Sequence, residues 1–268
     1  MEDNLIIAFS LTILAGLSTG FGSLIAFVIK ERSLKYLTYV MGLAAGVMIY
    51  LSFMEMLPHA SEEMMEILQD HEAANWTVMI AFFVGMFIVF LIDRMLPEGT
   101  NLHEMDENQS HDHKLYRIGL MTAVALAIHN FPEGIATFIS SLEDPELGMT
   151  IAFAIAMHNI PEGIAVSMPI YYATGNRKKA FMYSFLSGIV EPLGAFLCYF
   201  FLSSFLSDYI MSILIAMVAG IMVFISFDQL LPAASKYGNS KHSTLGVITG
   251  MILMALSLAL LLEHGHAH

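Results

Sequence analysis

The residues with chemistry to offer sit inside apolar stretches. His129-Asn130-Phe131-Pro132-Glu133-Gly134 recurs as His158-Asn159-Ile160-Pro161-Glu162-Gly163. On an α-helix, residues three and four apart share a face, so Glu133 lies beside both His129 and Asn130. Glu162 bears the same relation to His158 and Asn159. Pro132 has no amide to give the helix ladder and leaves the carbonyl of Ile128 without its usual donor. Glu191, next to Pro192, adds a third carboxylate in a later apolar stretch. An ionised residue at the centre of a membrane helix costs roughly 2.5–3.5 kcal/mol on insertion scales. No lysine or arginine falls near these carboxylates in the sequence. A divalent cation is the simplest partner, holding the glutamates deprotonated and the histidines neutral. Imidazole, carboxylate and amide ligands suit Zn²⁺, Fe²⁺, Mn²⁺, Co²⁺ and Cd²⁺ without selecting sharply among them. The single Cys198 offers neither a disulfide nor a thiolate cluster. Glu55 and Asp228 follow Ser52 and Ser226 at near-equivalent places towards helix ends. They suit the entrance and exit of a pathway, and equally a cap at the membrane interface.

The elements that must position these groups are membrane spans. Of 268 residues, 57% are hydrophobic and 13% charged, against about half and a quarter in a soluble domain. The excess lies in eight blocks: Leu5 to Ile29, Tyr36 to Leu57, Trp76 to Leu96, Ile118 to Leu142, Met149 to Tyr172, Phe181 to Leu202, Tyr209 to Leu231 and Leu245 to Leu262. Each approaches the roughly 20 residues that cross the hydrocarbon as a helix. Period-two strands are missing, which argues against a barrel. The expected fold is an all-α membrane protein with eight transmembrane helices, residues 1–268 forming one domain. Glu2 and Asp3 precede the first block, which reads as a span and not as a cleavable leader.

With the N-terminus outside, all 11 lysines and arginines fall in the inner connections. That asymmetry predicts both termini outside the cytoplasm, in the plasma membrane. It also gathers Glu62, Glu63, Glu66, Asp70 and Glu72 on the outer side, where they either attract cations or are plainly solvated. Residues 97–117 form a polar cytoplasmic insert carrying His103, His111 and His113, which suits loose metal binding or a solvated linker. Span two, through Ala45-Gly46 and Ser52-Phe53 to Leu57-Pro58, recurs in span seven through Ala219-Gly220 and Ser226-Phe227 to Leu231-Pro232. The two spans run oppositely, which predicts an inverted repeat of helices 1–3 and 6–8 around a central pair 4–5.

The doubled motif, the eight spans and the long inner insert together resemble the ZIP family of divalent metal transporters, in its bacterial broad-range zinc-uptake branch. The resemblance covers essentially the whole chain. It implies one ion among His129, Glu133, His158 and Glu162, and a second among Asn130, Glu133, Asn159, Glu162 and Glu191, with the glutamates bridging. It also implies inward transport by one helix group rocking against another. A divalent ion gains roughly 4.6 kcal/mol per 100 mV of inward-directed potential. The implied function is import of divalent metal ions, with no enzymatic activity and no cofactor. The expected partners are those ions, the lipid bilayer and a second copy in a homodimer, with no nucleic acid. Two other readings are an intramembrane metallohydrolase, disfavoured because His-Glu-x-x-His is absent, and a metal sensor that binds without transporting. The inner insert lacks the repeated His-x pattern of many family members, which weakens a sensing role for it.

Overall fold

The computed structural model describes residues 2–24, 33–95, 111–202, 207–237 and 239–265. Among them every regular element is helical. Eight helices are long and apolar enough to cross a membrane, because in lipid each backbone amide and carbonyl must pair within its own segment. Helix α1 is Glu2–Ser23. Helix α2 runs through Leu34–Leu51, a π-helical turn at Ser52–Met56, and Leu57–Leu68. Helices α3, α4 and α5 are His71–Met95, His111–Glu143 and Pro145–Thr174. Helix α6 is Arg177–Leu197, continued by a π turn at Cys198–Leu202. Helix α7 comprises Asp208–Ile225, a π turn at Ser226–Leu230, and Leu231–Tyr237. Helix α8 is Ser240–Gly265.

These elements outrun two of the sequence-based boundaries. The acidic residues Glu62, Glu63 and Glu66, expected in a loop, lie on the last turns of α2. Its apolar core supplies enough packing to carry the helix on to Gln69, which caps it in the left-handed conformation. Residues 111–117 of the polar insert belong to α4. Arg117, also expected in that loop, is a buried member of α4 with its guanidinium 3.8 Å from Asp93 of α3.

The helices sort into two bundles, and glycine shows the division. A Cβ added at Gly16 of α1 would lie 2.6 Å from the carbonyl oxygen of Gly188 in α6, and one at Gly22 would lie 2.0 Å from that of Ile160 in α5. Gly134 of α4 meets Glu191 of α6 as closely. These contacts join α1, α4, α5 and α6. In the same way Gly42 and Gly46 of α2 meet α8 at Ser243 and Val247, and Gly85 of α3 meets α7 at Met217. That joins α2 to α8 and α3 to α7, and Ser212 of α7 donating to Glu63 of α2 ties the two pairs together. Small residues let membrane helices approach backbone to backbone, where dispersion replaces the hydrophobic drive that lipid cannot supply. Larger side chains fill the seam between bundles, with Met41, Met48 and Leu51 of α2 in one buried cluster with Leu126 of α4 and Val166 and Ile170 of α5.

Candidate metal centre

Helices α4 and α5 lie side by side and deliver the two motifs to one level. His158 Nε2 is 2.6 Å from Glu133 Oε1. His129 Nε2 stands 3.2 Å from Glu133 Oε2 and 3.3 Å from Glu162 Oε1. One ligand atom from each of His129, Glu133 and His158 falls within 4.8 Å of the others, a spacing that suits a single cation. Helix α6 brings Glu191 to the far side, where Asn159 Nδ2 donates to its Oε1.

The asparagines are held in one orientation. Asn159 Nδ2 also donates to the carbonyl of Ala15 at 3.0 Å, and Asn130 Nδ2 donates to the carbonyl of Ser187 at 3.0 Å. A carbonyl can only accept, so in both amides the nitrogen is fixed and the oxygen is turned away from that bond. The two amide oxygens accept no hydrogen bond, nor do both carboxylate oxygens of Glu162, Oε2 of Glu191 and Oε2 of Glu133, although His129 faces Glu133 Oε2 and Glu162 Oε1 as an ion-pair neighbour. Buried polar atoms are ordinarily paired, because each orphan costs about 1–3 kcal/mol. Acceptors left over together in this way suit a cation, which supplies no hydrogens and only needs lone pairs. His129, Asn130, His158, Asn159, Glu162 and Glu191 are buried, while Glu133 retains 12% of its side-chain exposure.

That exposure comes from a cavity of about 360 Å³ lined by Glu55, His59, Pro132, Glu133 and His158. Glu55 projects from the π turn of α2 within electrostatic reach of His59 and His158. It stands in the middle of a continuous helical run, not at a helix end. His59 was not singled out in the sequence, although Glu55, His59 and Glu63 follow at four-residue spacing on one face. His59 Nε2 pairs with Glu63 Oε1 at 3.2 Å, and Glu63 Oε2 accepts from Ser212 of α7 at 2.7 Å. Asp228 lies in the π turn of α7, away from this cavity. It accepts from Gln229 at 2.7 Å, and Asp93 and Asp228 are both within electrostatic reach of Arg117. His103 and the side chain of His111 lie outside the described residues, and His113 is exposed on the first turn of α4.

Residues 4–101 and 97–258 match the family described as ZIP zinc transporter. The chain belongs to that family. Its similar relatives include the zinc transporter ZupT of Oceanobacillus iheyensis, 57% identical over 97% of this chain and 99% of the relative. The ZupT of Streptococcus mutans is 51% identical over 97% and 99%, and that of Clostridium perfringens 49% over 96% and 97%. The ZIP match runs from residue 4 in α1 past the end of α7 and includes both motifs, so the membrane unit, and not one local motif, carries the relationship. The relatives of this ZIP protein are named as transporters, not as enzymes.

Proposed function

We propose that this ZIP protein imports Zn²⁺, and the related ions Fe²⁺, Mn²⁺, Co²⁺ and Cd²⁺, into the cytoplasm through a two-ion centre among α4, α5 and α6. One ion takes His129, Glu133, His158 and Glu162. The other takes Asn130, Glu133, Asn159, Glu162 and Glu191, and the two glutamates bridge. The reading is carried by the group of unpartnered acceptors packed around Glu133 and Glu162 within the apolar core. Metal ions here are cargo. The centre strips their water in exchange for fixed lone pairs, and its carboxylates offset the charge.

Access in this arrangement is from the side of the cavity, where Glu55 and His59 line the wall. That end holds the last turns of α2, which carry no lysine or arginine, so under the positive-inside rule it faces outwards, with both termini outside the plasma membrane. The π turns after Ser52 and Ser226, whose hydroxyls donate to Met48 and Met222 at 2.8 Å, support an inverted repeat of helices 1–3 and 6–8 around 4–5. The glycine-locked bundles supply the moving parts. The group α1, α4, α5 and α6 holds the ions and shifts against α2, α3, α7 and α8. A homodimer in the bilayer belongs to the same reading.

Initial uptake into sealed vesicles containing purified protein tests the proposal. Glu133→Ala, at equal protein per vesicle, is expected to lose uptake of every ion, because each ion position depends on Glu133. Glu191→Ala is expected to change the preference among ions more than the total flux. Near wild-type uptake in Glu133→Ala would remove the bridging role.

A further inference from the structure

Helices α1 and α6 superpose in sequence without gaps: Ala8-Phe9 with Ala180-Phe181, Gly16 with Gly188, Gly22 with Gly194. In that register Ala15 pairs with Ser187 and Thr19 with Glu191. The contacts follow the same correspondence. Ala15 accepts from Asn159 as Ser187 accepts from Asn130. Gly163 would place a Cβ 1.9 Å from the carbonyl oxygen of Thr19, as Gly134 would place one 2.1 Å from that of Glu191. Gly22 meets the carbonyl of Ile160 as Gly194 meets that of Phe131, and Ile160 and Phe131 hold equal places in the two motifs. Thr19 is thus the mirror-image partner of Glu191 across the paired motifs.

Its hydroxyl, like that of Thr38, is buried without a hydrogen-bond partner. Thr12, Thr122, Thr137 and Thr174 each donate to the carbonyl four residues earlier, the ordinary resting place of a helical threonine. For Thr19 that acceptor would be Ala15, whose carbonyl already receives the Asn159 amide. Thr19 is wholly buried and its Oγ1 has no partner. It lies against α6, where a Cβ on Gly188 would come 3.1 Å from it. Asn130 Oδ1 is unpartnered as well. The couple Asn130 and Thr19 therefore mirrors the couple Asn159 and Glu191.

We propose that Thr19 Oγ1 is a neutral oxygen ligand of the ion held by Asn130, Asn159 and Glu191, standing opposite Glu191. The proposal rests on the two-ion reading above. Its chemical consequence is an asymmetric position, with a carboxylate on one side and a hydroxyl on the other. A hydroxyl adds a lone pair without a further negative charge, so the ion is held but not trapped.

The test is a Zn²⁺ titration of purified full-length protein by calorimetry, alongside vesicle uptake. Thr19→Val keeps the shape and removes the oxygen, whereas Thr19→Ser keeps the oxygen. Thr19→Val is expected to weaken the same binding step as Glu191→Ala by about tenfold, the scale on which losing a supporting group costs a metal site. Thr19→Ser is expected to restore it. Wild-type binding in Thr19→Val, with Glu191→Ala impaired, would overturn the ligand role and leave the two-ion reading standing. Equal loss in Thr19→Val and Thr19→Ser would also overturn it, because the hydroxyl would then not be what matters. A wild-type protein showing one binding step, or a Glu191→Ala variant with both steps intact, would instead overturn the two-ion reading.

Discussion

Glu133 is the residue on which the centre turns, since both histidines approach it from different helices. Metal binding requires His129 and His158 neutral. Protons compete for the same lone pairs, so affinity falls as pH falls. Half-saturation for Zn²⁺ uptake is expected to rise several-fold between about pH 7.5 and about pH 5.5, measured at several outer pH values with the inner pH clamped. A half-saturation flat across that window would remove the histidines from the ligand set. His59 lines the cavity beside the centre and is not among its clustered ligand atoms. His59→Ala is expected to raise half-saturation by about two- to fivefold while sparing the maximal rate, because an exposed ligand-like group in a vestibule raises local ion concentration without forming the site. A collapse of the maximal rate would move His59 into the transport step.

At the scale of elements, the centre depends on how closely α4 and α6 approach. Gly134→Ala would set a methyl group 2.1 Å from the carbonyl oxygen of Glu191. Neither atom belongs to a flexible side-chain tip, so the helices must part and Glu191 must withdraw from Asn159. Uptake is expected to fall at least about tenfold in protein that still inserts, given the sensitivity of a site to displacements on the order of 1 Å. Wild-type uptake in Gly134→Ala would mean that the close approach is dispensable. The polar insert behaves oppositely. Changing His103, His111 and His113 together to Ala is expected to leave maximal flux within about threefold, since His113 is exposed on the first turn of α4, about four turns from His129. Complete loss in the inserted triple variant would make the insert part of the transport pathway.

At the scale of the whole molecule, orientation and motion are the claims at risk. A cysteine introduced at Lys178 is expected to react only with reagent on the cytoplasmic side, and one at Glu66 only from outside. The reverse pattern would invert the direction assigned to the cavity. If the two bundles shift against each other, a cross-link between α2 and α5 stops uptake, whereas one between α2 and α8 leaves it intact. The second pair lies within a glycine-locked bundle, and the first spans the seam. Uptake surviving the α2–α5 link would show that transport needs no movement between these groups.

Much of this was determined by sequence alone. The eight apolar helices follow from hydrocarbon thickness and the need to pair every backbone group, both of which act locally along the chain. The grouping of His129 with Glu133, and of His158 with Glu162, follows from helical periodicity within one element. The likeness of α1 to α6 was also present in the sequence, but only contacts gave it meaning. Tertiary structure alone decided that α1 and α6 flank the motifs, because that rests on which carbonyls Asn130 and Asn159 find on other helices. It likewise decided the partition into α1, α4, α5, α6 and α2, α3, α7, α8. The glycines that permit these approaches are visible in the sequence, but their partners are not. A missing side chain specifies closeness without saying to what, and only the packed bundle supplies the opposing carbonyl.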